Sequence, residues 1–199
     1  MVCNDGYKAL TRERFLFREM RTVAKLISEG KTPAEIKTIA EDENIFEFPT
    51  TSTSKIIASL CIRRLNCLQS DNLVESVANK APDTAKMVCL YALMKENRTV
   101  RDFMLLTIGE KFRTMDLSFS KADITIYFMR LQEQNDVVAA WAPATVKKSE
   151  TSMGNILLET EYLESKQATK LSPVWLPSFL KNAIIDNGDE FVLPAFNSF

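Results

Sequence analysis

The sequence predicts an all-α protein, a compact multi-helix bundle, on three observations. Apolar residues recur at helical spacing along most of the chain. Leu, Ala, Lys and Glu, all good helix formers, are plentiful. The 5 glycines and 7 prolines among 199 residues are too few for a turn-rich β fold. Hydrophobic residues make up 46% and charged residues 26%, globular values that supply a core and argue against disorder beyond the ends.

The first helix is predicted over Thr11–Glu29, with Leu16, Met20, Val23 and Ile27 as its apolar stripe. Thr32-Pro33-Ala34-Glu35 starts the next: Thr32 suits the N-cap, Pro33 the first turn, and Glu35 can close a capping box. Asn44–Thr50 is irregular, and a third helix follows over Ser54–Leu68. Arg63 and Arg64 are adjacent on it, so one must reach solvent or a distant carboxylate. A short helix occupies Asp71–Lys80. Pro82 opens another through Glu96, which contains the longest apolar run, Met87–Met94, the length of a buried helix segment. Thr99-x-x-Asp102 introduces a helix over Val100–Met115, and Ser120-x-x-Asp123 one over Lys121–Gln134. A short piece, Val137–Trp141, precedes the last long helix, Pro143–Tyr162. Beyond it lie a polar stretch, Glu164–Lys170, a helix over Ser178–Asp186 and a small strand at Phe191–Leu193.

The chain carries a formal net charge of −1, unevenly spread. Residues 1–115 hold 18 basic against 15 acidic side chains; residues 116–199 hold 7 against 11. The sign changes near Met115–Ser120, which suggests an N-terminal helical lobe, 1–115, and a C-terminal one, 116–199. A nucleic-acid binder of this composition needs local basic patches rather than a basic bulk.

Much chemistry is excluded. There is no histidine, so neither a Ser-His-Asp nor a Cys-His nucleophile can be built. No Walker-type or Gly-x-Gly-x-x-Gly loop offers a phosphate cradle. Cys3, Cys61, Cys67 and Cys89 form no Cys-x-x-Cys pair, so no zinc site is expected. The acidic run Glu41-Asp42-Glu43 splays around a helix end. The expectation is a protein without catalysis, cofactor, metal or small-molecule substrate. Three of the cysteines sit in apolar helical contexts and read as small core residues, a usage that fits a reducing cytoplasm. Met1–Lys8 lacks the apolar stretch of a signal peptide, and no run approaches the roughly 18 apolar residues of a membrane span. A cytoplasmic location away from membranes is expected.

Two polar faces could carry binding. Arg14, Arg18, Arg21 and Lys25 fall at i, i+4, i+7 and i+11 of the first helix, opposite its apolar stripe. They span about 16 Å, the reach of several backbone phosphates. The second face is on the Pro143–Tyr162 helix. Thr145, Lys147, Lys148, Thr151, Ser152 and Asn155 lie away from Val146, Met153, Ile156 and Leu157. The order of elements there is compatible with a helix-turn-helix followed by a wing-like hairpin carrying Lys166 and Lys170. These residue types hydrogen-bond phosphates and base edges. Each face also has a plain reading, as a solvated outer surface or a packing helix. Glu150 and Glu159 oppose phosphate binding.

Several segments carry a family resemblance: Ile56–Leu68 with Arg63-Arg64-Leu65, Ala85–Met94, Val100-Arg101-Asp102-Phe103-Met104 and Glu110-Lys111. Further along come Ala122-Asp123, Gln134, Val138-Ala139-x-Trp141, Thr145-x-Lys147-Lys148 and Leu171-x-Pro173. In order and spacing they resemble the BrxA family, small accessory proteins of BREX bacteriophage-exclusion defence systems, from about Thr11 to Leu180. The resemblance implies an all-helical fold similar to the RNA-binding antitermination factor NusB. It also implies double-stranded DNA as a partner, with other BREX proteins, and no known catalysis. It transfers no binding residue, so the candidate sites rest on the helical faces alone. A helical scaffold for other defence subunits and an RNA-binding protein are the alternatives.

Overall fold

Local signals place most of the helix starts. The computed structural model describes residues 6–11 and 14–199; Cys3 lies outside them. Thr32 caps α2 (Pro33–Asp42) through a reciprocal capping box with Glu35. Thr50 caps α3 (Thr51–Cys67) by accepting from the Thr53 N–H, three residues before the predicted start. Ser70 caps α4 (Asp71–Asn79), and α5 runs over Pro82–Glu96. With α1 (Phe17–Ser28), these helices form one unit, Leu16–Glu96, in which α3 packs on α2 and α4 on α1. Every residue of α5 from Met87 to Glu96 is buried, which accounts for the unbroken apolar run.

The second unit comprises Asn97–Phe199 and the described residues before Leu16. It holds α6 (Arg98–Phe103), a π-helical turn at Met104–Gly109, α7 (Glu110–Arg113) and α8 (Lys121–Gln134). After these come α9 (Asp136–Ala139), α10 (Pro143–Glu159), α11 (Ser178–Asp186) and a 3-10 turn, Glu190–Phe196. Ser120 and Asp123 close the expected capping box on α8. The described structure is all-helical, as the sequence predicts.

Several expectations are corrected. The first helix starts at Phe17, not Thr11, because Leu16 adopts a left-handed backbone (φ 59°) that a helix cannot continue through. Asn97, not Thr99, caps α6 by accepting from the Val100 N–H. Thr99 is buried and bonds the Lys8 backbone instead: its Oγ1 accepts from the Lys8 N–H at 3.2 Å and donates to the Lys8 carbonyl at 2.8 Å. Phe191–Leu193 is part of the 3-10 turn rather than a strand. Val192, Ala195 and Phe196 are buried, which is helical spacing rather than alternation. Gly109 fits against that turn, since a Cβ there would stand 3.1 Å from the Pro194 carbonyl carbon.

The lobe boundary near Met115–Ser120 is also replaced. Lys111 reaches across it to Asp116 (3.4 Å) and Asp123 (3.1 Å), and residues 117–119 pair with 169–171. The chain changes unit at Glu96–Asn97 instead, so 1–115 and 116–199 are not its compact parts. Charge balance marks surface composition, whereas a unit is defined by what buries what.

The first residues of the second unit are strapped down by its later helices. The Leu10 N–H donates to Ser149 Oγ at 3.0 Å, and Ser152 Oγ donates to the Leu10 carbonyl at 2.7 Å. The Ser149 hydroxyl itself donates to the Thr145 carbonyl at 2.9 Å. Nearby, the Tyr7 hydroxyl donates to Asp102, and the Arg98 guanidinium lies over its ring. Burial, then the bond to Asp102, raises the Tyr7 phenol above its ordinary range. Ser149→Ala orphans a buried N–H and should cost about 1–3 kcal/mol. Urea melts and hydrogen exchange at the Leu10 amide check this; unchanged protection would show that the clasp contributes nothing.

A candidate nucleic-acid interface

The two predicted basic faces fare differently. On α1, Arg14 precedes the helix and so leaves the stripe. Arg21 is committed to structure: its Nε donates to the Ala78 carbonyl (3.2 Å) and its Nη2 to the Lys80 carbonyl (2.9 Å), at the end of α4. Helix C-termini present unsatisfied carbonyls, and a guanidinium fork suits them. Of the four cations, Arg18 and Lys25 are the exposed ones still on the helix. Arg21→Ala should therefore lower stability by about 1–2 kcal/mol while leaving any DNA affinity unchanged. A melt and a gel shift on the same preparation separate the two effects.

On α10 the outward face is presented as expected for Lys147, Lys148, Thr151 and Asn155, all exposed. Thr145 is half-buried, and Ser152 is spent on the Leu10 strap. Lys147 pairs with Glu150 at 3.0 Å, one turn along the helix. Val146 is half-buried on the other side, and Met153, Ile156 and Leu157 are buried.

The wing-like hairpin is absent among the described residues. Residues 160–177 form turns and irregular chain, with one antiparallel bridge, Lys170 to Ser118. The Phe119 N–H donates to the Thr169 carbonyl (2.9 Å) and the Leu171 N–H to the Leu117 carbonyl (2.8 Å). The polar stretch therefore pairs with the chain entering α8 rather than with itself. Burial of Phe119 and Leu171 sets this register, a contact between segments too distant for local pattern to reveal.

The consequence is a cleft of about 510 Å³ bounded by the start of α8, the outer face of α10 and residues 163–169. Lys121, Lys147 and Lys166 stand on its rim, one from each wall, with Thr151 and Asn155 beside them. Glu150 is the carboxylate among the lining residues. Phe119, Ile124, Leu158 and Leu163 form the apolar lining, and Gly154 leaves α10 without a side chain there. Lys148 and Lys170 are exposed but outside the lining. Sequence reasoning missed Lys121. It sits at the first position of a well-capped helix, and only the return of residues 163–169 makes it part of a site.

The buried thiols offer no chemistry. Cys61 and Cys89 are free, and burial pushes the Cys61 thiol up to about 12 and the Cys89 thiol higher still. Neither forms the reactive thiolate at neutral pH. No described helix is long and apolar enough to cross a membrane.

The chain matches the model of the BrxA family over residues 7–188. It is 33% identical over 171 residues to the BREX protein BrxA of Bacillus cereus, covering 85% of each chain. Similarity to the BREX protein BrxA of Paramagnetospirillum magneticum is 22% over 175 residues, covering 88% of this chain and 87% of that one. A crystal structure of an uncharacterized protein from Magnetospirillum magneticum superposes with a TM-score of 0.80 at 20% identity, over 96% of this chain and 97% of that one. That likeness concerns the fold alone. By the extent of the family match and the Bacillus relative, the chain belongs to the BrxA family.

Proposed function

We propose that this protein is a non-enzymatic accessory protein of a BREX phage-defence system that binds double-stranded DNA through backbone phosphates. Family membership supports the defence role. The observation that carries the DNA reading is the convergence of Lys121, Lys147 and Lys166 from three separate segments on one cleft, with Lys148 and Lys170 exposed on the same two segments. Cations gathered from separate segments by folding are harder to explain as a solvated surface than a stripe along one helix. A net charge of −1 overall fits a protein whose attraction to DNA is local.

The test is a fluorescence-anisotropy titration of the purified chain against a labelled duplex of random sequence, at several salt concentrations. Saturable binding that weakens steeply with salt is expected; no binding at low salt would remove the reading. Competition with duplex RNA distinguishes the RNA alternative.

A second reading is a scaffold that docks other BREX proteins. The observation favouring it is a second groove, of about 500 Å³, lined by Tyr7, Leu106, Ile126, Tyr127 and Arg130 among others. Leu106 there is 70% exposed and Ile126 45%, and exposed apolar side chains beside a groove mark protein contacts. Co-purification lost on Leu106→Glu would support that role.

A further inference from the structure

Two features of the lysine-rimmed cleft are not needed to hold a duplex backbone. A duplex presents phosphates on a convex rod, and exposed cations suffice to meet them. Yet the cleft is concave and floored by Phe119, Ile124, Leu158 and Leu163. A carboxylate, Glu150, also lines it; its Oε2 holds Lys147 at 3.0 Å, and its second oxygen is left for a ligand's donor. Both features find a use if part of the ligand is a planar, largely apolar body with amine donors on its edge. A nucleobase is such a body, and the lysine rim suits the phosphate it carries. The volume, about 510 Å³, lies in the range of sites that enclose a small ligand.

We propose that this cleft receives a single unstacked nucleotide of the bound DNA, at a frayed end, an overhang or a gap. The inference rests on the DNA reading. The base lies on the apolar floor, as bases lie on the platforms of proteins that bind single strands. Glu150 accepts from an exocyclic amine, the edge that cytosine offers and thymine lacks. Asn155 and Gln167 supply further edge contacts, and Lys121, Lys147 and Lys166 meet the flanking phosphates. The absence of a side chain at Gly154 keeps the cleft open; an ideal Cβ there approaches only Ile124 Cδ1, at 3.7 Å.

The experiment compares the full chain's affinity for three labelled DNAs: a blunt duplex of about 20 base pairs, and the same duplex with a six-cytidine or a six-thymidine 3′ overhang. The cytidine overhang should bind about tenfold tighter than the blunt duplex, the effect of placing one base on such a platform. The thymidine overhang should gain less. In Gly154→Leu, checked for folding by circular dichroism, the overhang advantage, taken relative to that variant's own blunt-duplex affinity, should vanish. Equal affinity for all three DNAs, or an advantage that survives in a folded Gly154→Leu, overturns this inference and leaves the duplex reading standing. Failure to bind any DNA overturns the duplex reading first. A measurement free of variants is titration of millimolar deoxycytidine monophosphate into the ¹⁵N-labelled chain. Shifts at the Gly154 and Gln167 amides are expected, and unmoved resonances there overturn the proposal.

Discussion

Glu96→Ala is expected to destabilise the protein by about 3–5 kcal/mol, the range for stripping the partner from a buried charge. Glu96 is 1% exposed and ends α5, where Arg63 and Arg64 of α3 converge on its carboxylate. Arg63 Nε stands 2.9 Å from Oε1 and is half in solvent. Arg64 Nε stands 4.0 Å from Oε2, and its side chain is 0% exposed. Without Glu96, the Arg64 guanidinium has lost its carboxylate in a site that water does not reach, and a guanidinium cannot shed its proton to escape the cost. For a chain of this size the loss lowers the melting temperature by roughly 10 °C.

Two companions sharpen the result. Arg63→Ala should cost less, about 1–3 kcal/mol, because Arg63 is half in solvent but donates to a carboxylate that is 1% exposed. Adding Arg64→Met to Glu96→Ala should restore much of the stability, since a buried ion pair and an apolar replacement of similar volume are often equivalent. Urea denaturation of the four proteins tests the set. A loss below about 1 kcal/mol in Glu96→Ala would show that Arg64 is satisfied by other groups.

The second large effect concerns DNA. Replacing Lys121, Lys147 and Lys166 together by alanine should flatten the slope of log K against log salt by about 2.7, at about 0.9 per phosphate contact. At about 50 mM salt that counterion effect is roughly tenfold per contact, so affinity should fall about a thousandfold. All three side chains are exposed, so the fold should not suffer. The matching control, Arg18→Ala with Lys25→Ala on α1, removes two exposed cations outside the cleft. If the control weakens binding as much per charge as the cleft variant does, the attraction is diffuse and the cleft is not the interface.

What the sequence revealed and what it hid follow one physical line. Thr32 with Glu35 and Ser120 with Asp123 were readable because a capping box is closed within three residues. The α5 core was readable because burial of a whole helix leaves an unbroken apolar run. Of Arg63 and Arg64, the need for one to reach solvent or a carboxylate was also legible, though not that Glu96 would take both. Arg21 and Ser152 were misplaced for a shared reason. Each donates to a backbone carbonyl remote in sequence, and a carbonyl has no side-chain identity by which to announce itself. Lys121 was overlooked, and a hairpin expected where none forms, for a second reason. Residues 169–171 pair with 117–119 across about fifty residues, and short extended segments carry too little alternation to name their partner.

The strap on Leu10 has a consequence for how the chain is made. Its acceptor, Ser149, is 139 residues further along. At a synthesis rate of about 5–20 residues per second, the strap emerges from the ribosome roughly 10–30 s before α10 exists to hold it. Before α10 is made, Leu16–Glu96 is already complete as one compact unit. Leu10 is therefore among the last residues to settle. A product lacking α10 would leave the Leu10 backbone without the Ser149 and Ser152 hydroxyls that hold it.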